Sequence, residues 1–210
     1  GYPSAQEAAV CPVYDQKQAW WSFPWAQLVH PGSDRLARWV IALAGGASWI
    51  YTWSLYWLQD SRPTLWVLNT LFCSWLVFLA VLDYRWRILP IELMVGAGLV
   101  GALLRVFLLG DPLMPLVIGA CGMGVFFGLQ TWISKGRWLG SGDPVMAAMI
   151  GGYIGWPLAA ASVYITYMAV IPLLVLQAVR FQAIRRVRWP FGPLLAIGGV
   201  FSLTLGAPLA

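Results

Sequence analysis

Hydrophobic residues occur along this chain in long runs, separated by short polar stretches that are rich in basic residues. A run of about 20 apolar residues is long enough for a helix to cross the hydrocarbon core of a bilayer. The pattern predicts seven apolar helical segments, at residues 39–58, 65–82, 89–109, 113–133, 144–156, 158–179 and 191–209. We therefore expect an all-α, polytopic membrane protein with about seven transmembrane helices.

The fifth segment, residues 144–156, is shorter than the others. Its length of about 13 residues gives about 20 Å of helix, which crosses a bilayer poorly. Because Asp143 directly precedes it, we expect the acid at a sunken helix start, in a water-filled notch between helices.

The N-terminal part differs from the rest of the chain. Residues 1–35 are mixed and aromatic, and the Trp-rich tract at 20–25 cannot span a bilayer but can rest on its surface. The sequence thus predicts a cytoplasmic or interfacial segment at 1–35 and a seven-helix transmembrane domain at 36–210.

Composition and charge agree with a membrane location. Hydrophobic residues make up 60% of the chain and charged residues 10%, whereas soluble proteins carry roughly 25% charged residues. With a cytoplasmic N-terminus, every Lys and Arg except Arg62 and Arg105 falls on the cytoplasmic side. We therefore attribute the net charge of +5 to the orientation of the chain in the membrane and expect no nucleic-acid partner. The expected location is the cytoplasmic (inner) membrane, with membrane lipids as partners.

Metal and cofactor ligands are sparse in the sequence. The single histidine, His30, lies in a loop, and Cys11, Cys73 and Cys121 are far apart without a CxxC pair. No histidine falls in a predicted spanning segment, so the usual axial ligand of a haem or chlorin is missing. We expect no metal and no cofactor.

Two acids stand at the ends of apolar runs, and the predicted topology places both on the cytoplasmic side. Asp83 ends the second run, and Asp143 follows Gly140 and Gly142 in a Gly-Ser-Gly-Asp motif. An ionised carboxylate beside hydrocarbon is costly, so both acids are candidate functional residues. Two adjacent carboxylates share one proton, which suits general acid and base catalysis of peptide hydrolysis. Glycine at 140 and 142 would let water or a peptide approach the second acid.

Glycine also predicts which helices pack closely. Small residues recur in the third, fourth and fifth segments, with Gly124 and Gly128 four apart, and Gly151 and Gly155 likewise. Such spacing lets helix backbones approach each other in lipid. We expect these segments to form a tight bundle that carries the two acids at its cytoplasmic end.

The sequence resembles the type IV prepilin peptidases, membrane aspartic proteases with a GxGD motif. Three stretches carry the resemblance: Asp83 with Pro90 seven residues later, Gly140 to Asp143 followed by paired small residues, and Pro190-Phe191-Gly192-Pro193 before the last helix. The resemblance implies cleavage of leader peptides from pilin-like precursors at the cytoplasmic face. It also implies that Asp83 and Asp143 are the catalytic pair, with Gly140, Gly142 and Pro90 as supporting motif positions.

The chain departs from that family in ways that leave a second interpretation open. Val145 occupies the place of a usual lysine, Ile91 replaces an acid or amide, and Cys11 has no partner for a zinc-binding insert. We therefore keep an alternative, a catalytically impaired relative that serves as a structural subunit of a photosynthetic, respiratory or secretion complex. Its partners would then be other membrane subunits.

Each acid also has a purely structural interpretation. Asp143 followed by Pro144 resembles the start of a helix, with the aspartate as N-cap. Asp83 could pair with Arg85 or Arg87 at the level of the lipid headgroups.

Overall fold

The computed structural model describes residues 50, 54, 63–86, 89–136, 139–181 and 191–206. Within these ranges all regular structure is helical. We label the helices α1 (Pro63–Trp86), α2 (Ile91–Leu104, continued by a π-helical turn at Arg105–Leu109), α3 (Leu113–Ile133), α4 (Asp143–Ile154), α5 (Leu158–Phe181) and α6 (Gly192–Gly206).

These helices coincide with the second to seventh segments that the hydropathy pattern predicts, which confirms the all-α fold class. Three of them are long and apolar enough to cross a membrane: Pro63–Asp83, Ile91–Leu109 and Leu113–Ile133. Two shorter apolar helical stretches are Leu158–Pro172 and Gly192–Leu203. The total of seven spans and the orientation of the N-terminus stay predictions.

Several sequence-based expectations fall outside the described residues. They concern the segment at 1–35, almost all of the first apolar run, His30, Cys11 and the side chains of Arg85 and Arg87.

Helix boundaries follow local backbone chemistry. Pro63 begins α1, and Pro90 and Pro112 stand directly before α2 and α3, where the missing N–H of proline costs no helical hydrogen bond. Gly110 ends the π-helical turn with a φ of 74°, and Gly155 follows α4 with a φ of 78°. Glycine adopts these left-handed conformations at low cost, so the chain can turn sharply there.

The short helix α4 is the buried centre of the domain. It packs against α2, α3, α5 and α6, and its contact with α3 is the most extensive. Met146, Ala147 and Ile150 have no exposed surface. A helix that is apolar on all sides is stable only when neighbouring helices surround it, so α4 and its first residue, Asp143, are held inside the bundle.

Glycines permit this packing, as the sequence predicts for the third to fifth segments. Gly98 of α2 lies against Met149, where an added Cβ would be 3.1 Å from the Met149 Cγ. Gly124 of α3 lies against Ala148 at the same separation. An added Cβ at Gly128 would meet nothing within 4 Å. Of the predicted pair Gly124 and Gly128, only Gly124 therefore contributes to close helix packing.

Candidate active site at the start of helix α4

Asp83 lies in the last turn of α1, and only 7% of its surface is exposed. Its Oδ2 accepts a hydrogen bond from the backbone N–H of Gly192, the first residue of α6, at 2.9 Å. Hydrogen bonds from backbone N–H groups stabilise a carboxylate in its charged form. Asp83, near the end of α1, is thus hydrogen-bonded to the first residue of α6, which lies 109 residues later in the chain.

Asp143 is the first residue of α4 and is 4% exposed. It forms a reciprocal pair with Gly140: the Gly140 N–H donates to the Asp143 Oδ2 at 2.7 Å, and the Asp143 N–H donates to the Gly140 carbonyl at 3.3 Å. This pair closes the Gly-Ser-Gly-Asp turn on itself. The carboxylate is therefore fixed by the loop that precedes the helix.

The interpretation of Asp143 as an N-cap is wrong. The N-cap position belongs to Gly142, and no side chain caps this helix. The Asp143 carboxylate instead accepts its hydrogen bond from Gly140, three residues earlier in the chain. Helix capping therefore does not explain why an aspartate stands at this buried position.

The two acids interact electrostatically. Asp143 lies outside the three candidate spans, and its pKa is raised to about 7. Burial of the carboxyl group is the main cause, and the negative charge of Asp83 raises the pKa further. The hydrogen bond from Gly140 acts in the opposite direction. The Asp143 carboxyl group, with a pKa of about 7, therefore gains or loses its proton near neutral pH.

The sequence suggests that glycine at position 142 lets water or a peptide approach Asp143, but the structure gives a different reason for it. Gly142 is buried, and an added Cβ would lie 2.7 Å from the Cβ of Leu89. Leu89 and Pro90 directly precede α2, and the Pro90 carbonyl accepts the first helical hydrogen bond from the Met94 N–H at 3.1 Å. Gly142 thus lets the loop that carries Asp143 pack against the loop that follows Asp83.

Gly140 differs from Gly142. It is exposed, and an added Cβ would be 3.5 Å from the Asp143 Oδ2, an ordinary van der Waals separation. Its observed contribution to the site is the N–H that binds Asp143.

Gly192 is the residue of this site to which sequence reasoning gave no role. The motif at 190–193 is part of the family resemblance, but nothing in its spacing indicates contact with Asp83. The feature of the sequence that could have indicated a role for Gly192 is its position next to a proline at the start of a helix. Within the described ranges, no three His, Cys, Asp or Glu side chains form a group that could hold a metal ion.

Comparison with known proteins gives one family match. The sequence model of the type IV leader peptidase family matches residues 70–178. No curated protein and no solved structure matches the chain. The matched range contains Asp83, Asp143 and the Gly-Ser-Gly-Asp turn, and it ends before Phe191 and Gly192.

Proposed function

Since the chain belongs to the type IV leader peptidase family, we propose that it is a multi-pass aspartic endopeptidase of the cytoplasmic membrane. It removes the leader peptide from pilin-like precursors at the cytoplasmic face. The observation that supports this most is the electrostatic interaction between Asp83 and Asp143, two buried carboxyl groups on separate helices.

In the proposed mechanism the two aspartates share one proton. Asp143, with its raised pKa, holds the proton and hydrogen-bonds the carbonyl oxygen of the scissile peptide. Asp83, ionised and bound by the Gly192 N–H, takes a proton from a water molecule as the water oxygen attacks the carbonyl carbon. The tetrahedral intermediate then collapses, the C–N bond breaks, and the proton on Asp83 passes to the leaving amine.

The direct test is cleavage of a pilin-like precursor by purified Asp83→Asn and Asp143→Asn proteins in detergent. We expect each variant to lose activity by about 10²–10⁴-fold, because each removes a proton-transfer group. Asp111→Asn is the matched control: Asp111 pairs with Arg105 and has no role in the proposed chemistry. Cleavage that survives either dyad substitution would exclude the mechanism.

One observation favours the second candidate, a catalytically impaired structural subunit. Val145 stands two residues after Asp143, where the resembling family usually has a lysine that adds positive charge beside the dyad. Native purification in mild detergent separates the candidates. Stoichiometric partner chains together with an inactive wild-type protein support the subunit, and an active enzyme without partners supports the peptidase.

A further inference from the structure

The amide of Gly192 occupies a specific place relative to Asp83. It is the first residue of α6, so its N–H points out of the helix and has no partner within that helix. It donates to the Asp83 Oδ2 at 2.9 Å, in a buried hydrogen bond. The acid therefore lies at the positive end of the α6 helix dipole and is hydrogen-bonded to it.

Position 192 has no room for a side chain. An added Cβ would lie 2.6 Å from the Asp83 Oδ2 and 2.9 Å from both its Cβ and its Cγ. These separations are shorter than real Cβ contacts, so any larger residue must displace the carboxyl group or the start of α6. Glycine is therefore required here by the position of the acid.

The preceding residue, Phe191, fixes where α6 begins. Its ring centroid is 5.9 Å from that of Phe127 and 6.3 Å from that of Tyr167. Phe127 is fully buried, and its ring is stacked with Tyr167, whose hydroxyl donates to the Gln130 side chain at 2.5 Å. Aromatic pairs at such separations contribute about 0.5–1.5 kcal/mol each beyond their burial. Helices α3 and α5 thus hold the residue next to the amide that binds Asp83.

We propose that Phe191 and Gly192 are positioning residues for the Asp83 carboxylate. The aromatic cluster of Phe127, Tyr167 and Phe191 fixes the first turn of α6, and the Gly192 amide then orients the acid toward its partner, Asp143. The kinetic consequences of this inference rest on the proposed peptidase function. The contact between Gly192 and Asp83 does not depend on that function.

The kinetic test compares Gly192→Ala with Gly199→Ala, both in α6. At Gly199 an added Cβ would be 3.1 Å from Leu76 and 3.2 Å from Ile150, so this control also tightens the packing but lies away from the acids. The substrate is a synthetic peptide that spans the leader junction. We expect Gly192→Ala to lower kcat by about 100-fold, because a displacement of a catalytic carboxylate by about 1 Å reduces the rate by roughly that factor. KM should change less than about twofold. Gly199→Ala should keep its kcat.

A second pair of variants tests the aromatic anchor. Phe191→Leu keeps an apolar side chain but removes the ring contacts, and we expect a smaller loss of kcat, about 10-fold, with KM unchanged. Phe201→Leu is the control, because Phe201 lies in the same helix with 52% of its surface exposed. It should retain wild-type kinetics.

A measurement that needs no activity separates this inference from the proposed function. In protein labelled with ¹⁵N-glycine, the Gly192 amide is assigned by its absence from the Gly192→Ala spectrum. A charge-assisted hydrogen bond moves an amide proton downfield, so Asp83→Asn should shift this resonance upfield. Asp111→Asn should leave it in place.

The outcomes are distinct. If wild-type protein cleaves no precursor but Asp83→Asn shifts the Gly192 resonance, the proposed function fails and the positioning contact stands. If the resonance does not respond to Asp83→Asn, the contact is absent and the inference is overturned. Equal losses of kcat in Gly192→Ala and Gly199→Ala would also overturn it, because the effect would then be one of packing alone.

Discussion

Gly119 of α3 and Gly151 of α4 face each other so closely that a Cβ on either residue would overlap the carbonyl oxygen of the other. This contact lies where α3 and α4 pack most extensively. It brings two helix backbones together without intervening side chains, as small residues do in membrane helices. The contact holds α4, the helix that begins with Asp143, directly against α3.

Gly151→Ala should destabilise the protein by about 1–3 kcal/mol, the usual cost of overpacking a close contact. Thermal unfolding in detergent measures the loss. Gly128→Ala is the matched control on α3, because an added Cβ there meets nothing within 4 Å. The control should be as stable as the wild type or slightly more so, since alanine favours helix. Equal destabilisation of both variants would contradict the close approach.

Cleavage should decline as the pH rises through about 7. The mechanism needs a protonated Asp143, and its pKa is raised to about 7 by burial and by Asp83. Above that pH both carboxyl groups are charged and the acid is lost. The dependence of kcat on pH checks this, and a rate that stays constant to pH 9 would contradict it.

Stability should follow the same titration. In the unfolded chain Asp143 has an ordinary pKa of about 3.9, so between about pH 4 and pH 7 the folded state binds more protons than the unfolded state. The contribution of this group to stability therefore falls as the pH rises through that window and is constant above it. Asp143→Asn removes this loss, so the variant should gain stability relative to the wild type between pH 4 and pH 8. The measurement is the free energy of unfolding of both proteins as a function of pH. A difference between the two proteins that stays constant from about pH 4 to pH 8 would contradict the raised pKa.

Val145→Lys should move the alkaline limit of activity to lower pH, by about one pH unit. A positive charge two residues from Asp143 favours the charged form of the carboxyl and so lowers its pKa. Val145→Met gives a long side chain without charge and serves as the control, with no expected change in the pH profile. A shift of similar size in both variants would show that side-chain bulk is the cause.

Tyr153→Phe should destabilise the protein by about 0.5–1.5 kcal/mol, because a partly buried hydrogen bond is lost. The Tyr153 hydroxyl donates to the Asn69 side chain at 2.9 Å, and its ring stacks on Phe72 with centroids 3.8 Å apart. Tyr164→Phe is the control, since Tyr164 is 65% exposed. Neither change should alter kcat measured well below the unfolding temperature, because Tyr153 lies ten residues along α4 from Asp143.

The sequence by itself determined the all-α membrane fold and the positions of six helical segments, because hydrophobic run length and proline or glycine at the ends are local properties. It also indicated Asp83 and Asp143 as candidate residues, since acids at the ends of apolar runs are costly and few. Only the tertiary structure decided that Gly192 binds Asp83 and that Gly119 meets Gly151. These contacts join residues far apart in the chain: glycine spacing indicated that the third to fifth segments pack closely, but it did not specify which residues of those helices meet. The raised pKa of Asp143 belongs to the same class, because burial and a neighbouring charge arise only when the helices assemble.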